Sequence, residues 1–234
     1  MIMKIPSGRR PWVAASLIDY SRLVDDARRA VRDGADLLEV RADLFPRKVL
    51  SPEIMAEKLR EVRRAARRPI LLTLRLRREG GGWPFSEIKR LSLYQTLMPW
   101  VDAVDVEGAS EIAQDVIRFA KKLKRWAILS QHDFKKTPTD DALRRMSKRF
   151  SRSGADLLKI AATPRRKEDV DRLMSFCSGL SGRRAFIAMG SLGRRTRLEG
   201  IRWGSCLTYG SAGKSAAPGQ VPVKLLAKKL LSLS

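Results

Sequence analysis

The sequence predicts an α/β protein, a single (β/α)8 TIM barrel that spans residues 1–234. Short aliphatic or β-branched runs alternate with amphipathic helical patterns eight times. Successive runs begin mostly 20 to 34 residues apart, the length of a βα unit. The 234 residues also approach the size of about 250 that is common for this barrel. A doubly wound open sheet is the alternative, but no G-x-G-x-x-G follows the first strand.

The elements follow in order along the chain. The predicted strands are 13–17, 37–43, 69–75, 103–107, 127–133, 157–163, 185–190 and 206–210. Helical periodicity fills the segments between them, as in 21–34, 52–68 and 140–154. Ser51 followed by Pro52 predicts a helix N-terminus, and Gly34 and Gly154 predict C-caps. We expect the glycine run 80–82 to form a flexible loop.

Polar residues recur at every second position of five predicted strands, and alternate residues of a strand share one face. Helices cover the outside of such a barrel, so the aliphatic faces are expected outside and the polar faces in the lumen. The expected luminal charges are Glu39, Arg41, Asp43, Arg75, Asp105, Glu107, His132 and Lys159. Buried charges are costly unless they are paired. A self-neutralising ion network remains the alternative to an active site, with Asp43, Asp105 and Glu107 as its candidates.

The only histidine, His132, stands at the C-terminal end of the fifth predicted strand. Barrel active sites lie at that end, and an unperturbed imidazole titrates near neutral pH. A lone histidine is more often structural, but this position favours general acid–base work. A metal site built from two histidines is excluded.

Lys159 lies in the middle of the sixth predicted strand, on the luminal face. Burial and neighbouring cations such as Arg41, Arg75 and Arg197 are expected to favour a neutral amine, which can attack a carbonyl. The alternative is a structural partner for Glu39 or Glu107. We favour the nucleophile.

Composition limits the other functions. Two cysteines make a disulfide framework or a cysteine zinc site improbable. No apolar run approaches the roughly 20 residues of a membrane span, and the first residues lack a signal-peptide pattern, so we expect a cytoplasmic protein with no membrane partner. The net charge of +23 is spread over all helical segments. With no asparagine and four glutamines, this pattern favours a thermophile's surface over specific nucleic-acid binding.

Several segments together resemble the type I 3-dehydroquinate dehydratase family, in order over nearly the whole chain. The matching segments are 38–43 (LEVRAD), 73–75 (TLR) with 79–81 (EGG), 130–134 (SQHDF) with 137–138 (TP), 154–156 (GAD) with 159–161 (KIA), Met189 with Gly193, 196–198 (TRL), 204–205 (GS), 208–210 (TYG) and 217–220 (APGQ). The co-occurrence of H-D-F-x-x-T-P and G-A-D-x-x-K-I-A is more specific than either motif alone.

The resemblance implies a (β/α)8 barrel, a homodimer, no metal and no organic cofactor. It implies that Lys159 forms a Schiff base with the C3 ketone of 3-dehydroquinate. His132 would move the C2 proton and protonate the departing C1 hydroxyl, while Glu79 would orient and polarise His132. Without the resemblance, Glu79 is equally consistent with a surface residue.

The resemblance also implies a set of substrate contacts. Arg197 would hold the substrate carboxylate, Gln220 would assist from a lid-like loop, and Met189 would shape the pocket. The ring hydroxyls and neighbouring charges would be contacted by Ser16, Glu39, Arg41 and Arg75. Where the family often has serine, this chain has Ala216, so one side-chain hydrogen bond to substrate is absent and only a backbone contact remains there.

Two other functions remain open from the sequence. One is another Schiff-base lyase such as an aldolase, although the loop phosphate sites that such enzymes need are not evident. The other is a basic nucleic-acid-binding barrel, motivated by the net charge. An aromatic content of 6% without interleaved basic–aromatic motifs argues against specific single-strand binding.

Overall fold

Every predicted strand forms part of one parallel sheet in the computed structural model, which describes residues 10–213, 215, 217 and 219–232. The strands are β1 (Trp12–Leu17), β2 (Leu37–Arg41), β3 (Ile70–Thr73), β4 (Ala103–Glu107), β5 (Trp126–Asp133), β6 (Leu157–Ala162), β7 (Arg184–Ala188), β8 (Leu207–Ser211) and β9 (Val221–Pro222). Their spatial order is β7-β6-β5-β4-β3-β2-β1-β8-β9. Neighbours in sequence are therefore neighbours in space, and β8 returns to pair with β1.

The sheet curls into the predicted barrel and closes between β7 and the residues just before β8. Arg184 and Ser205 form an isolated parallel bridge, and the Cys206 N–H donates to the Arg184 carbonyl at 2.9 Å. The Ser205 hydroxyl also accepts from the Phe186 N–H at 3.1 Å. The closing seam is thus short and partly made by a side chain.

Helices follow the strands as the alternation predicts. They are α1 (Leu23–Arg32), α2 (Pro52–Ala66), α3 (Glu87–Leu97), α4 (Ala113–Lys122), α5 (Asp140–Ser153), α6 (Lys167–Ser178), α7 (Arg194–Glu199) and α8 (Val223–Leu231). Ser51 caps α2 by accepting from the Ile54 N–H, and Gly154 ends α5, as predicted. At α1 the C-cap is Asp33, one residue before the predicted Gly34. None of the described helices is both long enough and apolar enough to cross a membrane.

Two apolar layers sandwich the strands. The outward faces of the strands pack against the helices, with Val40 and Leu72 on one side of the barrel and Leu158 and Ile160 on the other. The lower lumen is filled by one buried apolar residue from each of the first eight strands: Ala14, Leu37, Leu71, Ala103, Ile128, Leu157, Ala185 and Leu207. Most of these share strand faces with polar residues above them, whereas Ala185 on β7 lies below Ile187, so the lumen is a packed floor under a largely polar chamber.

Some strand bounds differ from the prediction, and one strand was not predicted. Strand 37–43 stops at Arg41 because Ala42–Leu44 form a 3₁₀ turn, and strand 69–75 stops at Thr73. The two-residue strand β9 was not predicted; it pairs with the end of β8 through Gly210 and Val221. This pairing fixes the chain directly after Gln220.

The glycine run 80–82 makes a closely packed turn where a flexible loop was predicted. Arg77–Glu79 form a 3₁₀ turn that ends at Gly80 with φ 75°. A Cβ on Gly81 would stand 2.1 Å from the Arg75 carbonyl oxygen, and the Gly82 N–H donates to Asp43 at 3.0 Å. Side chains do not fit here, because the backbone folds onto the end of β3.

Candidate active site

Lys159 projects from β6 into the lumen, and its side chain is 5% exposed. Its Nζ lies 2.9 Å from Asp105 Oδ2 and 3.5 Å from Glu39 Oε1. The Tyr209 ring centroid is 3.9 Å from the same nitrogen. Arginines were expected around this lysine, with Glu39 or Glu107 as the alternative structural partner. Glu39 is thus the partner that the structural alternative named, whereas Asp105 was not expected, and the two carboxylates place negative charge beside Nζ.

His132 stands near the end of β5, in the strand that pairs with β6. Its side chain is 10% exposed. Its Nδ1 lies 3.2 Å from Glu79 Oε2, and its backbone N–H donates to the same oxygen at 2.8 Å. One carboxylate oxygen therefore fixes both the strand end and the imidazole ring.

Burial and the surrounding charges keep His132 neutral at physiological pH. Desolvation lowers its pKa well below the usual value, and the nearby cations Arg75 and Lys159 lower it further. Burial raises the pKa of Glu79 to about 7, although Arg75 opposes the shift. An ionised Glu79 accepts a hydrogen bond from Nδ1–H and leaves Nε2 as the basic nitrogen.

Beneath this pair lies an ion network that spans three strands. Asp105 accepts from Arg75 Nη2 at 2.8 Å and from Ser130 Oγ at 2.5 Å. Glu107 accepts from Arg75 Nη1 at 3.1 Å and from Arg90 Nη1 at 2.7 Å. The network alternative thus describes Glu107 well, whereas Asp105 belongs both to the network and to the surroundings of Lys159.

Asp43 lies just beyond β2 and forms a second buried pair. It accepts from Arg41 Nε at 2.9 Å and from Arg41 Nη2 at 2.8 Å. This arrangement of two parallel hydrogen bonds orients the guanidinium beside the chamber. The expected structural role of Asp43 agrees with this geometry.

Ser16 and Gln220 connect the first strand with the last loop. Ser16 Oγ donates to Glu39 Oε2 at 2.6 Å and accepts from Gln220 Nε2 at 3.0 Å. The Ser215 hydroxyl, two residues before the APGQ segment, donates to the Ala217 carbonyl at 2.7 Å. Gln220, just before β9, therefore reaches across to the first strand.

Arg197 enters the chamber from α7 and is 2% exposed. Its Nη1 donates to the Tyr209 carbonyl at 3.3 Å. Burial lowers the pKa of Arg197 to about 10, so an anion beside it would be held strongly. Met189, also 2% exposed, follows β7 on the same side.

A single cavity gathers most of the predicted site. Its lining includes Ser16, Glu39, Arg41, Arg75, Glu79, His132, Lys159, Met189, Arg197 and Gln220. Ala216 lies outside the described residues. Among those that are described, no group of three His, Cys, Asp or Glu side chains is placed to hold a metal ion.

The cavity is also lined by residues that were not predicted to belong to the site. They are Gly80, Phe134, Ala161, Ile187, Tyr209 and Ala217. Strand alternation could have found three of them. Each of the three is two residues from another lumen-facing residue and therefore points to the same face. The pairs are Ala161 with Lys159, Ile187 with Met189, and Tyr209 with the floor residue Leu207. Phe134 packs over Gly80 in a contact between two loops, which strand periodicity does not encode.

Comparison with protein families gives one description for this chain. The model of the family described as Type I 3-dehydroquinase matches residues 13–234. The 3-dehydroquinate dehydratase of Methanosarcina barkeri is 36% identical over 237 residues, covering 96% of this chain and 95% of the relative.

Solved structures agree in fold. The 3-dehydroquinate dehydratase of Geobacillus kaustophilus superposes with a TM-score of 0.90 at 33% identity, covering 97% of this chain and 92% of that one. The type I 3-dehydroquinate dehydratase of Clostridium difficile, described with covalently modified comenic acid, gives a TM-score of 0.89 at 30% identity, with 97% and 93% covered.

Proposed function

This chain belongs to the type I 3-dehydroquinase family, and we propose that it dehydrates 3-dehydroquinate to 3-dehydroshikimate, a step of the shikimate pathway, through a Schiff base on Lys159. The observation that carries the proposal is a buried lysine amine facing the same cavity as a neutral histidine. Family membership favours this hydro-lyase over the aldolase and nucleic-acid alternatives.

The first step of the proposed mechanism joins Lys159 to the substrate. The lysine ammonium passes one proton to His132, and the freed nitrogen lone pair attacks the C3 carbonyl carbon. A second nitrogen proton moves to the former carbonyl oxygen, which gives a carbinolamine. His132 then returns its proton to that hydroxyl as the C3–O bond breaks, so the oxygen leaves as water and the nitrogen becomes a positively charged iminium. Asp105 and Glu39, at 2.9 and 3.5 Å from Nζ, suit this cation.

The iminium then acts as an electron sink for the elimination. His132 accepts the C2 proton, and the electrons of the C2–H bond move toward the nitrogen to give an enamine. The electrons return as the C1–O bond breaks, and His132 donates the proton so that the hydroxyl leaves as water. Hydrolysis of the conjugated iminium releases product and restores Lys159. Glu79 supports both transfers by holding the imidazole ring.

Substrate binding is assigned to the cavity wall. We infer that Arg197 binds the substrate carboxylate, since a buried guanidinium favours a paired anion. Gln220 closes over the site from the last loop, and Met189 limits the space beside the lysine. The polar residues that would contact the ring hydroxyls are Ser16, Glu39, Arg41 and Arg75.

Borohydride trapping tests the covalent step. Adding borohydride to the enzyme with 3-dehydroquinate should reduce the imine and add one substrate at Lys159, which peptide mass spectrometry detects. Lys159→Ala should show neither the adduct nor turnover, because the nucleophile is gone. The exposed Lys122 offers the matched control Lys122→Ala, which should retain both. An unmodified Lys159 in active wild-type enzyme would contradict the proposal.

Ultraviolet absorbance tests the proton transfer, because the product is a conjugated enone. His132→Ala should lower turnover by roughly 10²- to 10⁴-fold. Normal turnover in this variant would rule out the role given to His132.

Other features of the protein are also inferred. We expect one domain and a cytoplasmic location from the sequence pattern, a homodimer from the family resemblance, and heat resistance from the residue composition. Light scattering at defined concentrations measures the oligomeric state, and thermal unfolding measures heat resistance. A monomer, or a mesophilic Tm, would contradict the respective expectation.

A further inference from the structure

The aromatic ring of Tyr209, on β8, lies against the amine of Lys159, on β6. The ring centroid lies 3.9 Å from Nζ, well within the range of a cation–π contact. Tyr209 is 3% exposed and is part of the cavity wall. Its buried hydroxyl has no hydrogen-bond partner among the described residues. The position of the ring is therefore not explained by a structural hydrogen bond of the hydroxyl.

Asp105 contacts the same nitrogen with one carboxylate oxygen and binds other side chains with the second. Oδ2 contacts Nζ at 2.9 Å, while Oδ1 accepts from Arg75 and Ser130. These two donors fix the carboxylate, so it cannot follow the lysine if the lysine moves. The flexible side chain of Lys159 therefore places its amine between the Tyr209 ring and the Asp105 carboxylate.

The nitrogen of Lys159 carries a positive charge at two stages of the proposed reaction, as the ammonium of the free enzyme and as the iminium. A cation in a water-poor chamber needs a fixed compensating charge or dipole. The negative face of an aromatic ring and a carboxylate both supply it, and neither has to reorganise during the reaction.

We propose that Tyr209 and Asp105 are positioning residues for the charged nitrogen of Lys159, the ring through its face and the carboxylate as counter-ion. The inference rests on the proposed function, since it adds to the imine chemistry of that same lysine. It assigns the effect of Tyr209 to the ring and not to the hydroxyl.

Substituting Tyr209 disturbs fewer other contacts than substituting Asp105. Asp105 also holds Arg75, so its removal disturbs the ion network as well as the lysine. Within the described part of the chain, the Tyr209 side chain makes no second polar contact of this kind. The sharper test therefore changes the electron density of the ring while keeping its shape.

The experiment compares wild type, Tyr209→Phe and a variant with 3,4,5-trifluorophenylalanine at position 209. Rapid quenching with borohydride measures the rate of adduct formation at Lys159. Phenylalanine keeps the negative ring face and should trap within about 2-fold of wild type. Fluorination removes most of that negative face, so trapping should slow by roughly 2- to 30-fold relative to phenylalanine.

A second readout is the pH midpoint at which acetic anhydride labels Lys159 in the free enzyme. A less stabilised ammonium should be labelled at lower pH, so the midpoint should fall in the fluorinated variant. It should also fall in Asp105→Asn and remain in place in Asp43→Asn, whose carboxylate pairs with Arg41 instead. The charged or titratable groups facing Nζ from the surrounding strands are Glu39, Arg75, Asp105, His132 and Tyr209.

The outcomes separate the inference from the proposed function. If wild type gives no adduct at Lys159, the proposed function fails. If wild type is trapped, but the phenylalanine and trifluorophenylalanine variants trap and label alike, the inference is overturned. A loss of trapping already in Tyr209→Phe would also overturn it, because the hydroxyl would then be the active part. Circular dichroism and Tm establish that each variant is folded.

Discussion

At the scale of single residues, Glu79 shows how burial determines a chemical role. The carboxylate is 7% exposed, and desolvation is the largest cause of its raised pKa of about 7. The ionised form accepts a stronger hydrogen bond from His132 Nδ1–H than the protonated acid does, and it makes Nε2 more basic. The fraction of enzyme with a correctly oriented base should therefore increase as the pH rises through about 7.

Glu79→Gln should remove this pH dependence. In wild type, kcat/KM should fall as the pH drops below about 7, because Glu79 becomes protonated. The glutamine variant should lose this limb and be slower by roughly 10- to 100-fold at pH 8, since an amide polarises imidazole weakly. A pH series of the enone assay measures both effects. Glu111→Gln, at an exposed position, is the control and should keep the wild-type profile.

The same carboxylate should affect stability in the opposite direction. Its folded-state pKa of about 7 exceeds the ordinary value of 4.5, so its contribution to stability is present below pH 4.5 and is lost as pH rises through about 7. Glu79→Gln should therefore have a higher Tm than wild type at pH 8 and a similar Tm at pH 4.5. A lower Tm at pH 8 would show that the ionised carboxylate is stabilising.

At the scale of elements, a fully buried arginine links helix α3 to the barrel through hydrogen bonds. Arg90 donates to Glu107 on β4, to the Leu74 carbonyl at 3.1 Å and to Ser110 Oγ at 2.7 Å. Glu107 also accepts from the Leu76 N–H at 2.9 Å, just before the turn that carries Glu79. The helix, the strand and the segment that leads into the Glu79 turn therefore share one carboxylate.

Arg90→Met should destabilise the protein by about 3–5 kcal/mol, because Glu107 stays buried after losing one of its two cations. Urea unfolding measures the change. Arg64→Met is the matched control, since Arg64 is an exposed arginine on the neighbouring helix α2. Equal unfolding free energies for the two variants would mean that Arg90 does not fasten the helix.

At the scale of the whole molecule, the net charge of +23 sets the field that an anionic substrate meets. Such a field raises association rates at low ionic strength and is screened over about 10 Å at 0.1 M salt. The charge is spread over the surface, whereas the chamber itself pairs its cations with Glu39, Asp43, Asp105 and Glu107. The surface charge therefore acts on the approaching substrate, whereas the carboxylates of the chamber are paired with buried cations.

Raising ionic strength from about 0.01 to 0.2 M should lower kcat/KM for 3-dehydroquinate several-fold while kcat stays nearly constant. The physical reason is that screening weakens the encounter and leaves buried interactions intact. Steady-state kinetics in a salt series measures the two constants. An equal fall in kcat would show that salt acts on a step after substrate binding and not on the encounter. Duplex DNA binding in the same series should be lost steeply with salt if it reflects only counterion release.

The sequence by itself determined the order of strands and helices and the polar face of the lumen, because periodicities of two and 3.6 are local properties of the chain. It also placed His132 and Lys159 on neighbouring strands, and its family motifs named Glu79. Only the tertiary structure decided the contacts across the barrel. Asp105 and Tyr209 on Lys159, Arg90 on Glu107, and Phe134 over Gly80 join residues far apart in sequence. Their meeting depends on strand register and barrel closure, which no local pattern specifies.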